Sequence, residues 1–155
     1  MRGKKAKRRA PSTDALYKSR VVARMINTVM LDGKKSTAES TVYGAIKTLS
    51  EDPKEVLRIF ETAVKNVMPQ QEVRSRRVGG ATYQVPLPLK HERSEALAIR
   101  WIVNTARSKK GRPMMEKLSE ELKNSYQGIG DSIKKRDDTH RMAEANRAFA
   151  HFARF

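Results

Sequence analysis

The chain has 155 residues, and its 33 Lys and Arg against 17 Asp and Glu leave a net charge of +16, a density that points to a polyanionic partner. The absence of cysteine excludes disulfides and thiolate metal sites, and with no apolar run of about 18 residues a membrane-spanning helix is excluded as well. The charge is segmental: residues 1–35 carry eleven basic and two acidic residues, 36–72 four and six, and 73–155 eighteen and nine, so two cationic stretches flank a middle with a small net negative charge.

Residues 1–18 show no periodicity and hold Arg2, Lys4, Lys5, Lys7, Arg8 and Arg9 without an acid among them. They read as a disordered basic arm that docks on phosphates. Polar Ser12, Thr13 and Asp14 follow where a signal peptide would need an apolar stretch, while an organellar transit peptide stays open on composition. Residues 19–155 read as a single helical domain. Its first helix places Val21, Val22, Met25, Ile26, Val29 and Met30 at helical spacing and stops at Gly33. Ser36 with Glu39 has the spacing of a capping box that opens the second helix, with Lys34 and Lys35 in the turn beside its N-terminus. Asp52-Pro53 with Glu55 repeats that signal for the third helix, whose apolar face is Val56, Leu57, Phe60, Val64 and Val67.

The segment from Val73 to Leu89, VRSRRVGGATYQVPLPL, carries the strand signal. Gly79-Gly80 can take the positive φ angles of a two-residue turn, which places Val78 opposite Ala81, Arg76 opposite Tyr83 and Arg74 opposite Val85. Arg74 and Arg76 then share one face and Arg77 lies on the other. A ribbon with cations on both faces, and with Pro86 and Pro88 at its exit, is unsuited to the middle of a sheet; it reads as a protruding arm rooted on helices. Tyr83 is suited equally to stacking on a nucleotide or on Arg76 and to packing on the body.

A wide apolar stripe from about Glu92 to Ser108, including Leu97, Ile99, Trp101, Ile102, Val103 and Ala106, predicts a central fourth helix flanked by Arg93, Arg100 and Arg107. Lys109, Lys110 and Arg112 form a basic loop before a fifth helix, which Gly128 and Gly130 break. Asp131 or Ser132 is suited to cap a sixth helix running through SIKKRDDTHRMAEANRAFAHF, with a thin face of Ile133, Met142, Ala145, Phe149 and Phe152. The fold class is therefore all-α, a six-helix bundle with one protruding β-hairpin (73–89) between the third and fourth helices.

Signals for catalysis are weak. His91, His140 and His151 are scattered; His140 and Glu144 have helical metal-ligand spacing but no second histidine completes a zinc motif. Asp137 and Asp138 are adjacent and point apart, which suits them to tuning the charge of Lys134, Lys135, Arg136 and Arg141. No enzyme activity, cofactor or metal is expected. The residues support nucleic-acid binding through phosphates; a β-ribbon would lie on backbones, junctions or single strands of RNA, or enter a groove of DNA, and composition does not choose between them.

Four stretches in this order, LDGKKSTAES, VGGATYQVP, ALAIRWIVNTAR and SIKKRDDTHRMAEANRAFAHF, resemble the bacterial small-subunit ribosomal protein seven family from about Val21 onward. The resemblance implies six helices with a long hairpin after the third. It also implies binding to the 3′ major domain of small-subunit ribosomal RNA in the subunit head, a cytoplasmic location within that subunit, and a role in assembling other head proteins. The family's hairpin reaches toward exit-site tRNA and the messenger path. Carried to this chain, the match implies RNA contacts at Lys34, Lys35, Arg74, Arg76 and Arg77, and places Lys134, Lys135, Arg136 and Arg141 near RNA or a neighbouring protein of the head or platform. The residue-based candidates Tyr83, Arg93, Arg107, Lys109, Lys110 and Arg112 complete the expected RNA-binding set.

Overall fold

A computed structural model describes Gly3 and residues 12–154. Among these residues the chain is mostly helical, with one two-stranded antiparallel ribbon. Helices α1 (Arg20–Val29), α2 (Lys35–Lys47) and α3 (Pro53–Val67) precede strands β1 (Gln71–Val78) and β2 (Ala81–Pro88). Helices α4 (His91–Ser108), α5 (Met114–Tyr126) and α6 (Asp131–Ala145) follow, and a 3-10 helix occupies Arg147–Arg154. The cationic residues Arg2, Lys4, Lys5, Lys7, Arg8 and Arg9 lie outside the described residues. The disorder expected through Lys18 does not extend that far: Asp14 is buried and accepts from the backbone N–H groups of Leu16, Tyr17 and Ser19 at 3.1, 2.7 and 2.8 Å.

One apolar core joins α1 to α6. Val22, Met25, Ile26 and Val29 of α1, one stripe at helical spacing, are buried against Val42 and Ile46 of α2, Phe60 and Val64 of α3, Ile99, Ile102 and Val103 of α4, Leu118 and Leu122 of α5, and Ile133 of α6. Trp101 is half-buried at the margin of this core, in keeping with a packing role. Helix α1 ends earlier than the predicted stop at Gly33: Met30 is already extended (φ −60°, ψ 135°), and Asp32 and Gly33, at left-handed φ angles of 53° and 71°, shape the turn that follows, a conformation Gly adopts without steric cost and Asp tolerates.

The helix starts differ from expectation. Ser36 and Glu39 do not cap α2; Lys34 is the flanking residue and donates no side-chain cap, while Lys35 pairs loosely with Glu39 at 3.8 Å. Neither Asp131 nor Ser132 caps α6. Its flanking residue is Gly130, at φ 119°, and a carboxylate from another helix takes over: Glu121 Oε1 accepts from the Ser132 backbone N–H at 3.0 Å and from its hydroxyl at 2.7 Å. A side chain at position 130 would meet Asn124 at 3.1 Å and Glu121 Oε1 at 3.3 Å, so the glycine admits this approach.

The sixth helix is also shorter and turned from its predicted phase. It stops at Ala145; Met142 is 53% exposed and Ala145 is exposed, whereas Ala143 is buried. Phe149 and Phe152 belong to the 3-10 segment and pack on the ribbon, not the core. That explains the misread face: the apolar residues of this stretch serve two different surfaces.

Candidate nucleic-acid interface

The ribbon has the predicted register, with Val78 opposite Ala81, Arg76 opposite Tyr83 and Arg74 opposite Val85. Gly79 and Gly80 take φ angles of 57° and 90°, the pair of positive values that a type I′ turn demands. The pairing begins two residues earlier than read, at Gln71 with Pro88. The tip is in solvent, and Arg77 is exposed with no ion pair among the described residues.

The root is held down. A buried Val85 faces the body, and the Gln70 backbone N–H donates to His140 Nε2 of α6 at 3.0 Å. Tyr83 is half-buried, with its ring centroid 5.2 Å from Phe149 and 5.0 Å from Phe152, and Arg76 Nη1 donates to the Phe152 carbonyl at 3.4 Å. Tyr83 thus packs on the protein's own 3-10 segment. Between ribbon and α4, Glu72 accepts from Arg74 Nε at 2.5 Å and from Arg93 Nη2 at 3.1 Å.

Several candidate cations complete the protein's own helix ends, where the last carbonyls of a helix lack internal partners. Arg107 Nη2 donates to the carbonyls of Thr28 and Val29 at 3.1 Å each, closing α1. Arg136 Nη1 donates to the Asn66 carbonyl at 2.5 Å, closing α3, while its other nitrogens bind Asp137. Asn66 Nδ2 in turn donates to the Ser125 and Tyr126 carbonyls of α5. The sequence placed Arg107 among the RNA contacts and Arg136 near RNA or a neighbouring protein; neither helix-closing role was legible, because partners about 70 to 80 residues away leave no local signal.

Lys109 faces inward. Its Nζ stands 3.0 Å from Oε2 of the fully buried Glu121 and 3.6 Å from Glu120. Burial opposes the ammonium charge, yet the contact with Glu121 and its charge, with Glu120 alongside, hold the Lys109 pKa above the ordinary lysine value. Its loop neighbours stay wet: Lys110 is exposed, and Arg112 reaches Glu120 at 3.4 Å. On α6, Lys134 pairs with Asp131 at 3.2 Å and Arg141 with Asp138 at 3.5 Å, both exposed and weak, while Lys135 is exposed without an ion pair among the described residues.

Lys34 is exposed and lines an open groove of about 470 Å³ with Arg107, Lys117, Thr37 and Leu31. Lys117 was absent from the expected set, and its place on one wall of that groove could be read only from the packing of α5 on α2. That approach is close: a Cβ on Gly44 of α2 would fall 2.3 Å from the Met115 sulfur. Among the described residues, no group of three or more His, Asp or Glu is placed to hold a metal ion, and no helix is long and apolar enough to cross a membrane.

A helical scaffold that spends some arginines on its own helix ends, and leaves others on a ribbon tip and at inter-helix turns, is built like a protein that docks on a polyanion. A family model described as ribosomal protein S7p/S5e matches residues 1–147, and the chain belongs to that family. Relatives named small ribosomal subunit protein uS7 include those of Fervidobacterium nodosum and Thermotoga neapolitana, each 56% identical over 98% of this chain and 99% of the relative. A third, from Borrelia hermsii, is 55% identical over 90% of each chain.

Proposed function

We propose that this protein is a constituent of the small ribosomal subunit in the cytoplasm, where it binds the 3′ major domain of small-subunit ribosomal RNA and helps assemble the subunit head. The observation that carries the reading is family membership across nearly the whole chain, joined to a ribbon tip whose Arg77 has no protein partner among the described residues. In this reading residues 19–155 work as one domain, the basic residues before Pro11 add phosphate contacts, and the ribbon reaches toward exit-site tRNA and the messenger path, alongside proteins of the head and platform.

Family membership supports RNA over DNA. The ribbon suits it: its width bars entry to the deep, narrow major groove of an RNA helix, so Arg77 and the turn would lie on backbones or junctions. Filter-binding titration of the 3′ major domain tests the electrostatic core of the proposal. With about eight phosphates engaged, log K should fall against log salt with a slope of roughly −6 to −7; a slope near zero rejects it. Chemical footprinting on the same RNA should protect discrete junctions, and uniform protection would reject specific docking.

A further inference from the structure

The binding reading counts cations, but one acid lies among them. Glu72, at the start of β1, has a side chain only 11% exposed, and each of its oxygens is taken by a different arginine. Oε1 accepts from Arg74 Nε and lies against Arg74 Nη2. Oε2 accepts from Arg93 Nε at 3.3 Å and Arg93 Nη2 at 3.1 Å. Both arginines therefore turn the same edge of the guanidinium toward the acid. The opposite nitrogen of each, Nη1, has no hydrogen-bond partner among the described residues, and the two side chains are 57% and 45% exposed.

A long arginine side chain normally loses rotamer freedom when it grips an anion, and that loss weakens binding. Here a buried carboxylate has already fixed two of them, one on the ribbon and one on the first turn of α4. Burying Glu72 is costly in itself and offers little net stability over an apolar substitute. What it does provide is geometry: two planar forks anchored on one carboxylate, each with an unpartnered Nη1 among the described residues, a form suited to phosphate oxygens.

We infer that Arg74, Glu72 and Arg93 form a preorganised clamp for one RNA backbone phosphate, with Glu72 as its positioning residue. The inference rests on the RNA-binding reading above and adds a sign to it. On net charge alone, Glu72→Gln raises the protein to +17 (from +16) and should tighten binding to any polyanion. The clamp requires the reverse.

The test is a double-mutant cycle with the full chain and transcribed 3′ major-domain RNA at fixed salt. Glu72→Gln is expected to weaken binding about tenfold, with helicity and thermal midpoint near those of the unaltered protein. In an Arg74→Ala/Arg93→Ala background the same change should do nothing or tighten binding slightly, because the acid then has nothing to position. Unchanged or tighter binding by the single variant overturns the clamp, and so does a tenfold loss that persists without the two arginines, which would mark a general effect on the ribbon. Failure of the unaltered protein to bind the RNA at all would instead reject the underlying reading. Within the cycle, Glu72→Asp, whose shorter side chain cannot span both guanidiniums, should fall on the weak side; full affinity for it also overturns the clamp.

Discussion

Glu121 and Glu72 are both buried carboxylates ringed by donors, yet they do opposite things. Glu121 lies inside the bundle, fully enclosed, and its partners are a backbone N–H, a hydroxyl and the inward-facing Lys109. Glu72 sits at the seam of ribbon and body, and its partners are two half-exposed arginines with free edges. The first acid holds the start of α6 through Ser132 while Lys109 balances its charge; the second uses its position to hold cations in place. Burial of a charge thus marks structure in one region and a surface instrument in the other, and what separates them is whether the partner's remaining donors face protein or water.

The contrast can be broken by removing each acid or its partners. Glu121→Ala should have the largest effect on stability, about 3–5 kcal/mol, since it removes the acceptor of the buried Ser132 N–H and hydroxyl and the counter-charge of the half-buried Lys109; urea unfolding would measure it, and a loss below about 1 kcal/mol would show that water replaces the carboxylate. Arg107→Met should cost about 1–2 kcal/mol by leaving the α1 carbonyls of Thr28 and Val29 without their donor. That loss should appear equally with and without RNA if its role is to cap the helix.

A smaller effect is expected in alkali. The pKa values of Tyr17 and Tyr43 are raised chiefly by burial and further by Asp14, and that of Lys109 is raised by Glu121 and Glu120 against its burial. The folded chain therefore keeps protons that the unfolded chain releases above about pH 10, so this contribution is complete below that pH and lost as pH climbs through the folded values. The urea midpoint should fall as pH rises above about 10, and a midpoint that rises there contradicts the sign. Least of all for stability, Arg77→Ala should leave unfolding unchanged while making the salt slope of RNA binding shallower by about 1; an unaltered slope would remove Arg77 from the interface.

Local chemistry was legible in the sequence and distant chemistry was not. The ribbon register could be read because Gly79-Gly80 sets it within two residues, and the buried stripes of α1 and α3 because helical spacing repeats over several turns. Caps were misread where a stronger partner came from elsewhere in the fold: Ser132 has the chemistry of a cap, but Glu121 reaches the same N–H groups from α5. The same limit governs the site. Charge pointed to Arg74, Arg93, Arg107 and Lys109 alike, and the family resemblance to Arg74 among them, yet only the folded chain separates the pair whose free edges face solvent from the pair that closes a helix and neutralises a buried acid. No pattern in the sequence distinguishes Glu72 or Glu121 from the other glutamates.

The covering of Tyr83 by Phe149 and Phe152 links parts of the chain made at different moments. About sixty residues of synthesis separate Pro88 from Phe149, so the ribbon leaves the translation machinery well before the segment that seals its root. Through that interval Tyr83 and Arg76 stand open, and this seam is among the last parts of a newly made molecule to close.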